Sequence, residues 1–214
     1  MPIYFLSTSF AWVAPESGTH TEAAGRSMKL SNSMEPAVRI HLNRIRDQSP
    51  AGDETCWCPL CRADMLALAL TSLPPRYATS HPWNIEIEAR TTAAIRDEVV
   101  LARRQIERNP KHVKGAPIAA GEPVWVVNFP LEEGFRAVDA ILRRQETACD
   151  CWNCRCDMVA FALNRYPAHY GVEHEGRTNL VEEHRGRMRD ELSSFLVHAI
   201  KVVTTVPRHD FRSA

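Results

Sequence analysis

The feature that most constrains the fold is a cysteine motif that occurs twice, 93 residues apart. The pattern C-x-C-x-x-C-R-x-D-M begins at Cys56 and again at Cys149. Over the 22 aligned positions 56–77 and 149–170, eleven residues are identical. Because a repeated sequence folds into a repeated structural unit, the 214-residue chain is predicted to contain two similar units of roughly 80 residues each.

The same offset continues past the motif, where Arg96 corresponds to Arg189. Upstream, Glu35 aligns with Glu132 at an offset of 97, which predicts that the loop before the second motif is four residues shorter. Insertions between repeats are expected in surface loops. The predicted organisation is a flexible leader 1–31, unit 1 at 32–112, a linker 113–127 and unit 2 at 128–214.

Composition excludes several classes of protein. The 26 basic residues balance the 26 acidic ones, so the net charge argues against general coating of DNA or RNA. No apolar run approaches the roughly 20 residues that span a bilayer. The apolar start of the chain lacks preceding basic residues, which makes it a poor secretory signal. The expected location is the cytoplasm, with no membrane partner.

Apolar residues at helical spacing predict three helices in each unit. Asp64 and Asp157 are expected near the start of the second helix, as a cap or through the helix dipole. Prolines are expected to end the second and third helices. The stretch 124–127 is the one plausible strand. The predicted fold class is all-α, with two tandem small helical domains that form an intramolecular pseudo-dimer and each carry a cysteine-rich metal knuckle.

Seven cysteines in two short stretches favour a metal over disulfides. Thiols two or three positions apart would close strained rings, and the count is odd. Zinc prefers four ligands such as thiolate and imidazole in a tetrahedron. Zn²⁺ is therefore the predicted cofactor, and its candidate ligands are Cys56, Cys58, Cys61, Cys149, Cys151, Cys154 and Cys156.

The fourth ligand of unit 1 is left open between His112 and His81. In unit 2 the fourth thiol, Cys156, predicts the tighter site, and His209 and His174 correspond to the two histidines of unit 1. Free cysteines without metal and an iron–sulfur cluster are the alternatives. Redox chemistry by C-x-x-C lacks the usual strand–helix context.

The motif and the residues that follow it resemble a known family. C-x-C-x-x-C-x-x-D, followed by Ala-Leu-Ala-Leu and Leu-Pro-Pro-Arg-Tyr at 73–77, is similar to the signature of the late competence development protein ComFB family. Unit 2 resembles it through Ala-Phe-Ala-Leu-Asn-Arg-Tyr-Pro at 160–167 and Tyr170. The resemblance covers residues 32–112 and 128–209.

That resemblance implies a small helical domain that dimerises, with zinc held by cysteines in some members. Other members are receptors for the cyclic dinucleotides c-di-GMP or c-di-AMP. Two copies in one chain then imply a dimer fused into one polypeptide. Each copy departs from the pattern differently: copy one has Leu70-Thr71 where the family has Leu-Asn, and copy two has Pro167-Ala168 where the family has a proline pair.

Two functions follow as expectations, neither of them enzymatic. The first is a regulatory receptor for a cyclic dinucleotide, which needs cations for phosphates and flat groups for bases. The second is a zinc-stabilised module of competence or motility regulation that binds an unidentified protein, with Trp57 and Trp152 as anchors or as core residues. The alternative for the tyrosines and arginines is a structural role. The candidate ligand-binding residues are Arg76, Tyr77, Trp83, Arg96, Tyr170 and Arg189.

Overall fold

A computed structural model describes residues 30–50, 52–79, 89–113, 117, 119, 121–145, 148–174, 177–178 and 180–207. The predicted leader, apart from residues 30–31, lies outside the described residues. So do three residues that the sequence singled out, His81, Trp83 and His209.

The described residues form six helices and five short strands. The helices are α1 (Met34–Asp47), α2 (Pro59–Ser72), α3 (Ala89–Arg108), α4 (Phe129–Leu142), α5 (Trp152–Leu163) and α6 (Glu182–Thr205). The strands are β1 (Ser31–Asn32), β2 (Tyr77–Ala78), β3 (Val124–Asn128), β4 (Tyr170–His174) and β5 (Arg177–Thr178). The protein is therefore mostly helical, with three helices in each half, as the apolar spacing predicts. No described helix combines the length and apolar character needed to cross a membrane.

The strands form two small antiparallel sheets that the sequence did not predict in full. The first sheet pairs β1 with β2, and the second has the order β3-β4-β5. The predicted strand at 124–127 is present as β3, whose Val126 lies opposite Val172 of β4. Strand β4 follows α5 and contains a glycine, so its strand character comes from pairing with a segment more than 40 residues away.

Helices α2 and α5 begin within the cysteine motif itself. Cys58 and Cys151 are the N-cap residues, and the Sγ atom of each accepts a hydrogen bond from the backbone N–H three residues later at 3.5 Å. The prediction that Asp64 and Asp157 stabilise the helix start is wrong, because both lie in the second turn of the helix and are buried. Pro59 at the first position of α2 suits a helix start, where its missing N–H has no acceptor to lose.

The structure corrects the upstream register of the repeat. Arg62 Nη2 donates to Asn43 Oδ1 at 3.1 Å, and the corresponding Arg155 Nη1 pairs with Asp139 Oδ1 at 3.1 Å. Asn43 and Asp139 are 96 residues apart, so α1 and α4 align at an offset of 96 rather than 97. The pairing of Glu35 with Glu132 was misleading because glutamates recur often on helices, whereas the matching contacts of Arg62 and Arg155 fix the register.

Each half of the chain contributes residues to the core of the other half. The cluster built on α4, α5 and α6 includes Leu30 and Tyr77, and the cluster built on α1, α2 and α3 includes Tyr170 and Val172. Tyr77 and Tyr170, at corresponding positions of the repeat, are each only 6% exposed. The two halves therefore share buried surface rather than folding as isolated domains.

Hydrogen bonds from backbone N–H groups to side chains cross between the halves at corresponding positions. The Tyr77 N–H donates to Asn164 Oδ1 at 2.7 Å, and the Tyr170 N–H donates to Thr71 Oγ1 at 3.0 Å. Thr71 and Asn164 are themselves 93 residues apart. Each unit thus holds the Tyr-containing strand of the other through the end of its own second helix.

Candidate metal centres and the surface between the units

The unit 1 motif assembles four potential metal ligands. The Sγ atoms of Cys56, Cys58 and Cys61 and a ring nitrogen of His112 all lie within 4.8 Å of one another. His112 Nε2 is 3.3 Å from Cys56 Sγ and 3.1 Å from Cys61 Sγ. Three thiols and one imidazole are a donor set that tetrahedral Zn²⁺ binds well.

Local structure explains how these ligands converge. Cys56 lies in the extended segment before α2, Cys58 caps the helix, and Cys61 follows in its first turn. His112 belongs to a different part of the chain and lies four residues after α3 ends at Arg108. Because α2 and α3 pack against each other in the unit 1 core, the end of α3 is brought to the start of α2.

The second ring nitrogen of His112 contacts a backbone carbonyl group. His112 Nδ1 lies 2.9 Å from the Val113 carbonyl oxygen, which can only accept a hydrogen bond. In the neutral imidazole this contact requires the proton on Nδ1, which leaves the lone pair on Nε2, the nitrogen beside the sulfur atoms of Cys56 and Cys61. Metal-binding histidines usually make this kind of hydrogen bond with the nitrogen that does not bind the ion. His112 is thus a suitable fourth ligand, whereas His81 lies outside the described residues.

The unit 2 motif brings three sulfur atoms together. Cys149, Cys151 and Cys154 offer ligand atoms within 4.8 Å of one another. Cys156 lies outside this group and belongs to the buried core cluster of α4, α5 and α6. Two residues along a helix correspond to a rotation of about 200°, so Cys154 and Cys156 point to opposite sides of α5. Cys156 is placed as a core thiol, and burial raises its pKa to about 11.

Burial and crowding act on the thiols inside both clusters. Burial raises the pKa of Cys61 and of Cys154, and the neighbouring cysteines raise it further. Several thiolates in so small a space repel one another unless a cation lies between them. Cys61 and Cys154 are therefore unfavourable places for ionised sulfur alone and favourable ones for sulfur bound to a metal ion. At Cys151 burial acts in the same direction, but hydrogen bonds from Cys154 and Cys149 outweigh it and lower the pKa.

Two charged side chains next to the unit 1 centre were not predicted as part of it. Lys111 Nζ pairs with the buried carboxylate of Asp64 at 2.6 Å. Arg103 on α3 pairs with Asp53 at 2.9 Å and lies 5.8 Å from the centre of the Trp57 ring. The only sequence signal for the first contact was the position of Lys111 beside His112. The contact of Arg103 joins residues 50 positions apart, and local sequence carries no sign of it.

The two tryptophans beside the cysteines occupy different environments. Trp57 is half-buried beneath Arg103, in contact with the unit 1 core. Trp152 is 48% exposed and stacks on Phe135, with ring centres 5.2 Å apart and planes 5° from parallel. Of the two predicted anchors, Trp152 is therefore the one that presents an aromatic surface.

The candidate ligand-binding residues that the structure describes do not form one site. Both tyrosines are buried, so neither ring face is open to a base. Arg96 pairs with Asp97 on the surface of α3, and Arg189 pairs with the buried Glu133 on α4. Trp83 lies outside the described residues. The alternative interpretation, in which the tyrosines pack and the arginines pair, describes these positions better.

The tyrosine hydroxyls instead join a buried network between the units. The Tyr170 hydroxyl donates to Glu35 Oε1 at 2.7 Å and accepts from Asn32 Nδ2 at 2.9 Å and Asn128 Nδ2 at 2.8 Å. The Tyr77 hydroxyl donates to Asn128 Oδ1 at 2.9 Å. Burial raises the pKa of both tyrosines, which keeps the hydroxyls protonated as donors.

Arg76 borders an open depression between the units. The depression has a volume of about 470 Å³, and Arg76 is half-buried beside it with Nη2 donating to Thr91 Oγ1 at 2.9 Å. Its lining residues are Ser33, Pro75, Arg76, Tyr77, Ala78 and Asn164.

Comparison with known proteins identifies the family of the chain. The sequence model of the family described as late competence development protein ComFB matches residues 31–110 and again residues 135–207. These two segments cover more than half of the chain, so the protein belongs to the ComFB family, with two tandem copies. Neither a curated protein nor a solved structure shows a significant match to the chain.

Proposed function

We propose that this protein is a non-enzymatic regulatory protein in which zinc stabilises each unit. The observation that carries the proposal is the convergence of three thiols and the His112 imidazole in unit 1. Thiolate and imidazole together favour Zn²⁺ over Ca²⁺ or Mg²⁺, which prefer oxygen ligands. Family membership points to a competence-related regulatory role. The cytoplasm, where thiols stay reduced, suits such a centre.

Unit 1 is the tighter of the two proposed sites. Its four ligand atoms are close together, whereas three sulfurs converge among the described residues of unit 2. This reverses the sequence-based expectation, which relied on Cys156 as a fourth ligand. His209, which corresponds to His112 in sequence, is the candidate to complete the unit 2 site.

Metal analysis of purified protein tests the zinc centres. We expect Cys58→Ser to remove one zinc ion per chain and to lower the melting temperature, because ligand binding is coupled to folding. The matched control is Cys156→Ala, which deletes a thiol outside both clusters and should leave the zinc content unchanged. Absence of zinc from wild-type protein prepared under reducing conditions would refute the proposal. Equal loss in both variants would show that the geometry assigns the wrong thiols.

We further infer that the two units act as an intramolecular pseudo-dimer. The support is the reciprocal exchange of Tyr77 and Tyr170, each held at its backbone N–H by the other unit. Closed twofold association is the commonest arrangement of identical domains. A chemical unfolding curve should then show one cooperative transition. Two separate transitions, each lost with one unit's cysteines, would show independent domains.

A cyclic dinucleotide receptor is the second candidate, and the depression beside Arg76 favours it. The depression is open and lies between the units, and Arg76 supplies a cation for a phosphate. The burial of Tyr77 restricts the aromatic contribution to the edge of its ring. We therefore expect weaker binding than a site with a free stacking face would give.

Calorimetry with c-di-GMP and with c-di-AMP on zinc-loaded protein tests this candidate. If either nucleotide binds, Arg76→Ala should weaken binding at least about tenfold, since a charge-assisted contact contributes roughly 1.5–3 kcal/mol. Arg104→Ala, an exposed arginine on α3, is the matched control and should change binding little. No binding to wild-type protein would remove the receptor function and leave the protein-interaction module.

For that module, the exposed Trp152, stacked on the half-buried Phe135, is the proposed anchor for a protein partner. Exposed aromatic residues beside a rigid centre are typical of interaction hot spots. Trp152→Ala should abolish capture of the partner while leaving the zinc content and the unfolding midpoint close to those of the wild type.

A further inference from the structure

Lys111 and Asp64 form an ion pair that connects the His112 segment to helix α2. Lys111 Nζ lies 2.6 Å from Asp64 Oδ1, and the lysine is the residue immediately before His112. Asp64 is one helical turn after Cys61, so its carboxylate lies on the same side of α2 as that ligand. The pair therefore attaches the end of the α3 extension beside the cysteine cluster.

The two partners of this pair differ in exposure, and the buried partner holds the exposed one. The Asp64 side chain is 2% exposed, whereas the Lys111 side chain is 50% exposed. Among the described residues, Asp64 Oδ2 has no hydrogen-bond partner, so Lys111 is the main compensation for the buried charge. A buried carboxylate strongly favours a nearby cation. Asp64 thus holds Lys111, and through it the backbone of the histidine, from inside the core.

The corresponding aspartate of unit 2 has a different contact. Asp157 Oδ1 accepts a hydrogen bond from Thr79 Oγ1 of the other unit at 3.2 Å. Asp157 therefore makes at least one contact across the units, whereas Asp64 pairs with a lysine of its own unit beside the metal ligands.

We propose that Asp64 and Lys111 are positioning residues that hold His112 as the fourth ligand of the unit 1 metal centre. The inference rests on the proposed zinc centre and adds what keeps its histidine in place. Within the described part of the segment after α3, the other contact with the cysteines is that of His112 itself. Partners that orient a metal ligand typically change metal affinity by about 10–100-fold.

Cobalt substitution of the full-length protein tests the proposal, because the visible spectrum of bound Co²⁺ reports the number and kind of its ligands. We expect Lys111→Met to lower the affinity of the unit 1 centre for Co²⁺ by about tenfold or more. The spectrum of this variant should shift toward that of His112→Ala. Lys111→Arg retains the charge and should restore both affinity and spectrum. The matched control is Lys201→Met, which removes an exposed lysine from α6.

A double variant separates positioning from simple loss of stability. Lys111→Met leaves a buried, uncompensated carboxylate, so the variant can be unstable for that reason alone. Asp64→Asn combined with Lys111→Met removes the buried charge as well as the ion pair. We expect the double variant to fold and still to show the weakened binding and the altered spectrum.

The outcomes distinguish this inference from the proposed function. Wild-type affinity and a wild-type spectrum in the double variant would overturn the positioning role while leaving the zinc centre intact. Failure of the wild-type protein to bind Co²⁺ or Zn²⁺ would overturn both, since there would be no ligand geometry to maintain. An equal change in Lys201→Met would show an effect of surface charge and would also overturn the inference.

Discussion

Replacement of Tyr170 by phenylalanine tests how much the buried network between the units contributes to stability. The substitution removes one oxygen atom and leaves the ring in the unit 1 core. The hydroxyl makes three hydrogen bonds, to Glu35 Oε1 at 2.7 Å, Asn32 Nδ2 at 2.9 Å and Asn128 Nδ2 at 2.8 Å. A polar group left buried without its partner costs about 1–3 kcal/mol.

The expected loss of unfolding free energy depends on which hydrogen bonds each partner of the hydroxyl keeps. Glu35 Oε1 retains a longer hydrogen bond from Asn128 Nδ2 at 3.3 Å, whereas Asn32 Nδ2 loses the bond to the hydroxyl. We therefore expect Tyr170→Phe to lower the free energy of unfolding by about 2–4 kcal/mol. Tyr77→Phe is the matched control. Its hydroxyl makes one described bond, to an Asn128 Oδ1 atom that also accepts from the Leu131 N–H, and its loss should cost about 1 kcal/mol.

Urea unfolding of the zinc-loaded chain measures both effects. Tryptophan fluorescence and circular dichroism should give coincident transitions, which is the condition for comparing free energies. A Tyr170→Phe protein within about 0.5 kcal/mol of wild type would refute the reasoning, since that is the scale of an ordinary surface change. Equal losses in the two variants would show that the number of hydrogen bonds does not set the cost.

Two further predictions concern the same interface and the histidines of unit 2. Asn164→Ala should lower the free energy of unfolding by about 1–2 kcal/mol, because Asn164 accepts from the Tyr77 N–H and donates to the Tyr77 carbonyl. Thr71→Ala removes one hydrogen bond, to the Tyr170 N–H, and should lower it by less in the same unfolding assay. Burial and, secondarily, the nearby His184 lower the pKa of His169 below its usual 6.5. The unfolded chain then takes up a proton at higher pH than the folded one, so stability falls as the pH drops below about 6.5. His169→Gln should flatten the fall in unfolding midpoint between about pH 7.5 and 5.5, and an unchanged fall would contradict the prediction.

The sequence by itself determined the repeat, the helices and the cysteine centres. The helices follow from apolar spacing, and the C-x-x-C step lies where a helix begins, with Cys58 and Cys151 as caps. Both properties depend on residues within a few positions of one another. Local spacing is sufficient for them because backbone geometry over one or two turns is nearly fixed.

The register of the first helix and the full set of strands required the fold. The offset of 96 became visible only through the contacts of Arg62 and Arg155 with the preceding helix. Strand β4 exists because β3 lies beside it, and the two are separated by a whole helical hairpin in the chain. Glu35 and Glu132 are identical by chance, and identity in sequence does not show which residues contact the second helix of each unit.

Only the tertiary structure decided which side chains the centres and the surface between the units contain. His112 was one of two histidines open for unit 1, and its position beside the thiols depends on how α3 packs on α2. The sequence predicted Cys156 and the two tyrosines as site residues, but all three are buried in the core. Residues such as Lys111 and Asp64 meet across 47 positions of chain. Contacts of that range depend on the summed packing of every helix, which no local pattern records.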